Sequence, residues 1–154
     1  FQRIESDSVF GQHYKADNCH LIDKAYYASN PHEEDDVENN RIALSCDVHC
    51  WFDGRNVDVP LFKLTISTAH LISRNPVIEG RYEVPLLITA FDSDSARLLF
   101  PRLREGSIFY QDRKLEAVVF VYVLDPKVFT TCIEWKASIT QTMWDNNNVK
   151  SAVE

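Results

Sequence analysis

The sequence predicts a single α+β domain over residues 1–154. Three observations carry that expectation. Hydrophobic residues make up 45 % of the chain and aromatic ones 12 %, which over this length suits one sizeable core. Runs rich in Val, Ile, Thr, Phe and Leu recur through the second half and read as strands. Two stretches, 46–53 and 93–104, read instead as helices, the second with apolar residues at helical spacing.

In chain order, residues 1–18 are polar and without period. Residues 18–27 read as a short strand or extended arm. Residues 28–40 read as a loop, opened by the turn Ser29-Asn30-Pro31 and carrying the solvated acidic run Glu33-Glu34-Asp35-Asp36. A short apolar strand follows at 41–45, then the helix 46–53, with Gly54 placed as its stop. The remainder reads as mostly β, with strands at 61–72, 81–90, 115–124 and 128–142. The first of these is also open to a helical reading. The helix at 93–104 ends near Gly106, and Pro60, Pro76, Pro101 and Pro126 punctuate the segments. Residues 145–154 have the composition of a frayed tail.

Charge and composition exclude several classes. No apolar run is long enough to span a bilayer, and no positively charged start leads into an apolar targeting segment. The expectation is an intracellular protein with no membrane partner. Net charge is −7; residues 1–60 hold five Lys/Arg against twelve Asp/Glu, while residues 61–154 hold eleven of each. That balance disfavours nonspecific grip on nucleic acid, which needs surplus cations. Four cysteines in a chain with no secretory signal make a disulfide framework the weaker reading.

Three of the four cysteines share one stretch with three of the five histidines. Cys19-His20-Leu21-Ile22 closes one extended segment. Asn40 then opens the run Arg41-Ile42-Ala43-Leu44-Ser45, and His49 follows nine residues after Asn40 within Asp47-Val48-His49-Cys50-Trp51-Phe52-Asp53-Gly54. The layout is strand, loop, strand, helix, with His, Asn and His in order. This resembles the HNH nucleases of the ββα-metal finger type, over about residues 18–55, and is most similar to the branch ending in His-x-x-Phe-Asp. The resemblance implies a metal-dependent endonuclease acting on DNA, with His20 as general base and Asn40 holding it or the metal. It implies His49 as a metal ligand and Cys19 as a further one.

Physical chemistry runs alongside the resemblance. Phosphodiester hydrolysis needs a base for the attacking water and a cation for the charge that builds on phosphate and leaving oxygen. An imidazole titrates in the right range for His20 to be that base. His49 and Asp53, four apart on a helix, share a face and can share an ion. Their donors suit Zn²⁺, Mn²⁺ or Mg²⁺, and a Cys19 thiolate would favour Zn²⁺. Arg41 stands where this branch commonly has Gly and would put a cation near the phosphate. The net acidity implies that DNA contacts come from a second copy of the chain, as a homodimer, or from an additional segment.

Other readings stay open beside this one. Cys46 and Cys50 read as small apolar residues on the inner helix face, and Trp51 and Phe52 as core. Cys19, Cys46, His49 and Cys50 would alternatively form a closed zinc site. Asp125 with Glu134-Trp135-Lys136 resembles the metal site of the PD-(D/E)xK nucleases, which requires the Glu-x-Lys on a strand. Arg97, Arg102, Arg104, Arg113 and Lys114 form the densest basic stretch and the place to look for phosphate contacts. His13 and His70 have no partner pattern, and Cys132 reads as buried and inert. The alternative function is a non-catalytic protein-interaction module that keeps the finger as a structural, zinc-bearing scaffold.

Overall fold

The structure is a computed structural model and describes residues 16–22, 38–54, 59–103, 108–109 and 115–153. The expectations for the acidic run, for His13, and for Arg104, Arg113 and Lys114 lie outside the described residues.

Strands β1 (Ala16–His20) and β2 (Arg41–Ser45) form an antiparallel pair in which Cys19 faces Ile42 and His20 faces Arg41. Paired residues share a sheet face and neighbours along a strand alternate. Cys19, Ile42 and Leu44 are accordingly buried on one face, while His20, Arg41 and Ala43 are half-buried on the other. β2 runs directly into helix α1 (Cys46–Asp53), whose Val48 and Phe52, one turn apart, are fully buried in the same core. Gly54 ends the helix at φ +75°, in the left-handed region. A Cβ there would meet Pro60 Cδ and N at 3.1 Å, so the close return of the chain adds a steric demand for glycine. The helix read at 46–53 and the strand read at 41–45 are observed with those bounds.

A second, four-stranded sheet follows, made of β3 (Phe62–Ile66), β4 (Tyr82–Ala90), β5 (Ile108–Phe109) and β6 (Glu116–Val123). Its spatial order is β3-β4-β6-β5 and every pairing is antiparallel. Val84, Leu86, Ile88 and Ala90 of β4 alternate into the core with Val119, Val121 and Val123 of β6. The stretch read as strand or helix at 61–72 is strand only over Phe62–Ile66, after which Ser67 N–H donates to Pro85 O and the chain leaves the sheet. It returns through a tight turn at Ile78–Arg81 whose central residues Glu79 and Gly80 both have positive φ, as a two-residue hairpin turn demands. Helix α2 (Ser93–Leu99) is capped by the Asp92 carboxylate, which accepts from Ser95 N–H at 2.8 Å. It tightens into a 3-10 turn at Phe100–Arg102, where Pro101 stands. The helix expected at 93–104 is therefore shorter and split.

The C-terminal part departs most from expectation. Residues 128–142, read as a strand, and 145–153 of the stretch read as a frayed tail belong to one helix, α3 (Pro126–Val153). The region after residue 55 is thus mixed rather than mostly β. The physical reason is visible at both scales. Asp125 caps the helix, its Oδ1 accepting from Lys127 N–H and Val128 N–H, and Pro126 sits at the first turn. Phe129, Cys132, Ile133, Lys136 and Thr140 are buried at three- and four-residue steps, a helical stripe. Thr131, Thr140 and Thr142 bond carbonyls one turn back, which reconciles these β-prone residues with the helix. α3 packs along β3, where Lys63 Nζ donates to Gln141 Oε1 at 2.9 Å, and Trp144 stacks on Phe91 at 4.7 Å. Phe52 of α1 stacks on Phe62 of β3 at 5.2 Å, so hairpin, sheet and helices share one core. No helix among the described residues is long and apolar enough to cross a membrane.

Candidate functional site

The two ends of the β1–β2 connection meet at Asn40. Its side chain is fully buried and makes a two-pronged bond to one residue: Ile22 N–H donates to Asn40 Oδ1 at 2.7 Å, and Asn40 Nδ2 donates to Ile22 O at 3.0 Å. Leu21 N–H adds a bond to Asn40 O at 3.0 Å. Asn40 therefore pins the chain just after His20 to the start of β2. A primary amide is the side chain that offers a donor and an acceptor side by side. The neighbouring Asn39 has a different job: its Oδ1 accepts from Asp125 N–H at 2.9 Å, tying the loop to the start of α3.

His20 ends β1, half-buried, with Nε2 sealed from solvent. Arg41, opposite it in register, is half-buried on the same face. Its Nε is buried and meets no hydrogen-bond acceptor among the described residues. Cys19 points the other way, fully buried in the apolar core. Cys19, Cys50 and Cys132 form no disulfide among the described residues, and Cys132 is buried as expected.

One turn of α1 brings His49 and Asp53 together, Nε2 to Oδ2 at 2.9 Å. The other oxygen of Asp53 accepts from Lys136 Nζ of α3 at 2.7 Å. The three side chains are 16 %, 24 % and 7 % exposed, so the pairs are shielded from water. Burial alone would raise the Asp53 pKa. The hydrogen bonds from His49 and Lys136, and their positive charge, outweigh it and hold the carboxyl well below the usual range. The Lys136 ammonium also lies over the Phe52 ring, 4.9 Å from its centre.

Lys136 belongs to this site, and sequence reasoning had assigned it elsewhere. The PD-(D/E)xK pattern fails because Glu134-Trp135-Lys136 is helical. Glu134 is exposed, Lys136 turns inward, and Asp125 serves as a helix cap. A cation within an apolar helical stripe was the available signal, because a buried ammonium requires a buried counter-charge.

The remaining candidates have structural partners. His70 Nδ1 lies 3.2 Å from Ser67 Oγ, and its ring stands edge-on to Phe120. Arg97 pairs with Asp94, both exposed, and Arg102 lies over Trp51 at 4.9 Å. Phe52 is core, as expected, and Trp51 packs half-buried against it.

Among the described residues no three His, Cys, Asp or Glu side chains gather as a metal-binding group. His49 and Asp53 are the pair with suitable chemistry, an imidazole nitrogen and a carboxylate oxygen in contact. In the observed arrangement Lys136 takes Oδ1 of Asp53 and His49 Nε2 takes Oδ2, so a divalent cation here would be held by His49 with Asp53 behind it, its other positions taken by water or phosphate oxygens. No family model, curated protein or solved structure matches the chain.

Proposed function

We propose that the chain is a metal-dependent HNH-like endonuclease, with a ββα-metal finger at residues 18–55, that hydrolyses DNA phosphodiester bonds. The observation that carries the proposal is the Asn40 clamp on Ile22. It explains why an Asn is needed at that place, and it fixes the backbone two residues beyond His20. In the proposed reaction His20 takes a proton from the attacking water through its imidazole. The water oxygen bonds to phosphorus, the bond to the leaving oxygen breaks, and that oxygen is protonated from solvent. Arg41, on the face His20 occupies, offers its guanidinium to non-bridging phosphate oxygens. A divalent cation held at His49, with Asp53 beside it, would supply positive charge for the phosphate and leaving oxygen. Cys19 is left out of the donor set because it is buried among apolar side chains on the opposite face.

A second reading, a non-catalytic module that keeps the finger as a scaffold for a protein partner, is favoured by one observation: Lys136 already neutralises Asp53. A plasmid-nicking assay in EDTA, Mg²⁺, Mn²⁺ and Zn²⁺, with His20→Ala alongside, separates the two. Metal-dependent nicking lost in His20→Ala is the expected result. Nicking that survives the substitution refutes the base assignment, and no nicking with any metal favours the scaffold.

A further inference from the structure

We propose that Lys136 is a positioning residue for the candidate site: its ammonium holds the Asp53 carboxylate against Nε2 of His49 and so fixes which ring nitrogen of His49 carries the proton. The first part stands on contacts alone, and its consequence for a metal rests on the nuclease reading above.

The argument begins with the freedom of a carboxylate on a short helix. Asp53 is the last residue of α1, where the backbone gives it least support. An isolated aspartate there would turn towards water. Lys136 prevents this, because its ammonium is nearly buried and sits 2.7 Å from Oδ1. That ammonium is itself fixed, since its stem leaves the inward stripe of α3 and its head lies over the Phe52 ring. With Oδ1 held from one side, Oδ2 is presented to His49 Nε2 at 2.9 Å. When His49 is neutral, a carboxylate in that place keeps the remaining proton on Nε2, and the ring can donate a lone pair only from Nδ1. Asp53 then acts on a cation through His49, as the carboxylate behind a ligand. The chain Lys136–Asp53–His49 joins α3 to α1 across 83 residues.

The test uses the full chain and two readouts that a merely structural role would not move. The first is the histidine side-chain ¹⁵N–¹H spectrum, with the His49 signals assigned through His49→Gln. The parent is expected to show a proton on Nε2, and Lys136→Met is expected to lose that single form while Lys136→Arg retains it. The second is Zn²⁺ affinity by calorimetry, with Zn²⁺ as the only added metal. Lys136→Met is expected to weaken it, by no more than the about 10- to 100-fold that follows removal of the group bonded directly to a metal ligand, here Asp53. Far-UV circular dichroism confirms that each variant is folded, and Lys136→Gln replaces Lys136→Met if the latter does not fold. An unchanged His49 spectrum in a folded Lys136→Met protein overturns the proposal. A parent that binds no Zn²⁺ counts against the metal reading of the site, and the His49 spectrum still decides on Lys136.

Discussion

Replacing Asn40 by Asp changes one group of the clamp and almost no volume. Oδ1 can still accept from Ile22 N–H, but the donor that met Ile22 O at 3.0 Å becomes a second oxygen. One hydrogen bond is lost, worth about 1 kcal/mol, and the Ile22 carbonyl is left without its donor, at about 1–3 kcal/mol more. Asn40 is fully buried and Ile22 is 8 % exposed, so water does not readily repair the loss. The expected cost is about 2–4 kcal/mol at pH 7, measured from urea midpoints followed by tryptophan fluorescence. The pH dependence makes the test specific. A buried carboxylate facing a carbonyl oxygen has its pKa raised in the folded state, and once protonated its O–H can donate to Ile22 O. Between the ordinary carboxylate value and the raised one, the folded state binds more protons than the unfolded state. Stability relative to the parent therefore recovers as pH falls through that window, whereas Asn40→Ala, which loses both bonds and costs more, shows no such recovery. An Asn40→Asp protein as stable as the parent at pH 7, or one whose deficit ignores pH, would refute the clamp.

Two further outcomes are expected. Gly54 and Gly80 have nearly the same positive φ, but only Gly54 is crowded, by Pro60 at 3.1 Å. Gly54→Ala should cost about 2–3 kcal/mol and Gly80→Ala about 1 kcal/mol in thermal unfolding, and equal losses would contradict the account. The Asp53 pKa is depressed in the folded state, so the stability it contributes is complete above the ordinary aspartate value and is lost as pH falls towards the folded one. The parent should lose about 2 kcal/mol from this source between pH 5 and pH 2. Asp53→Asn should show a correspondingly flatter acid limb in urea titrations, and an unchanged limb would mean the carboxylate is not held as described.

The segment from β2 through α1 was the most legible part of the sequence because its signals are local. The strand Arg41–Ser45 alternates, Val48 and Phe52 repeat at a helical step, and Gly54 marks the stop, all within fourteen residues. α3 was illegible to composition because Val128, Thr130, Thr131 and Ile133 favour strands. The helical stripe from Phe129 to Thr140 was present, but it includes a lysine and a threonine, which do not look like core. The partnership of Lys136 with Asp53 had no local signature, since no periodicity links positions that far apart. The side-chain bonds of Asn40 to the Ile22 backbone had no signature either, because spacing alone does not distinguish a residue that holds backbone from one that serves a base or a metal.

The distance along the chain between Asp53 and Lys136 is also an interval of time. A ribosome adds roughly 5–20 residues each second, so the aspartate emerges roughly 4–17 s before its ammonium partner does. For that interval Phe52, Phe62 and Leu64 lack the helix that later covers them, and they present an apolar surface that a chaperone or a neighbouring nascent chain can meet. The hairpin and α1 can take shape early, but His49 acquires its fixed carboxylate only when α3 arrives. Synthesis order thus delays assembly of the candidate site until most of the chain has been made.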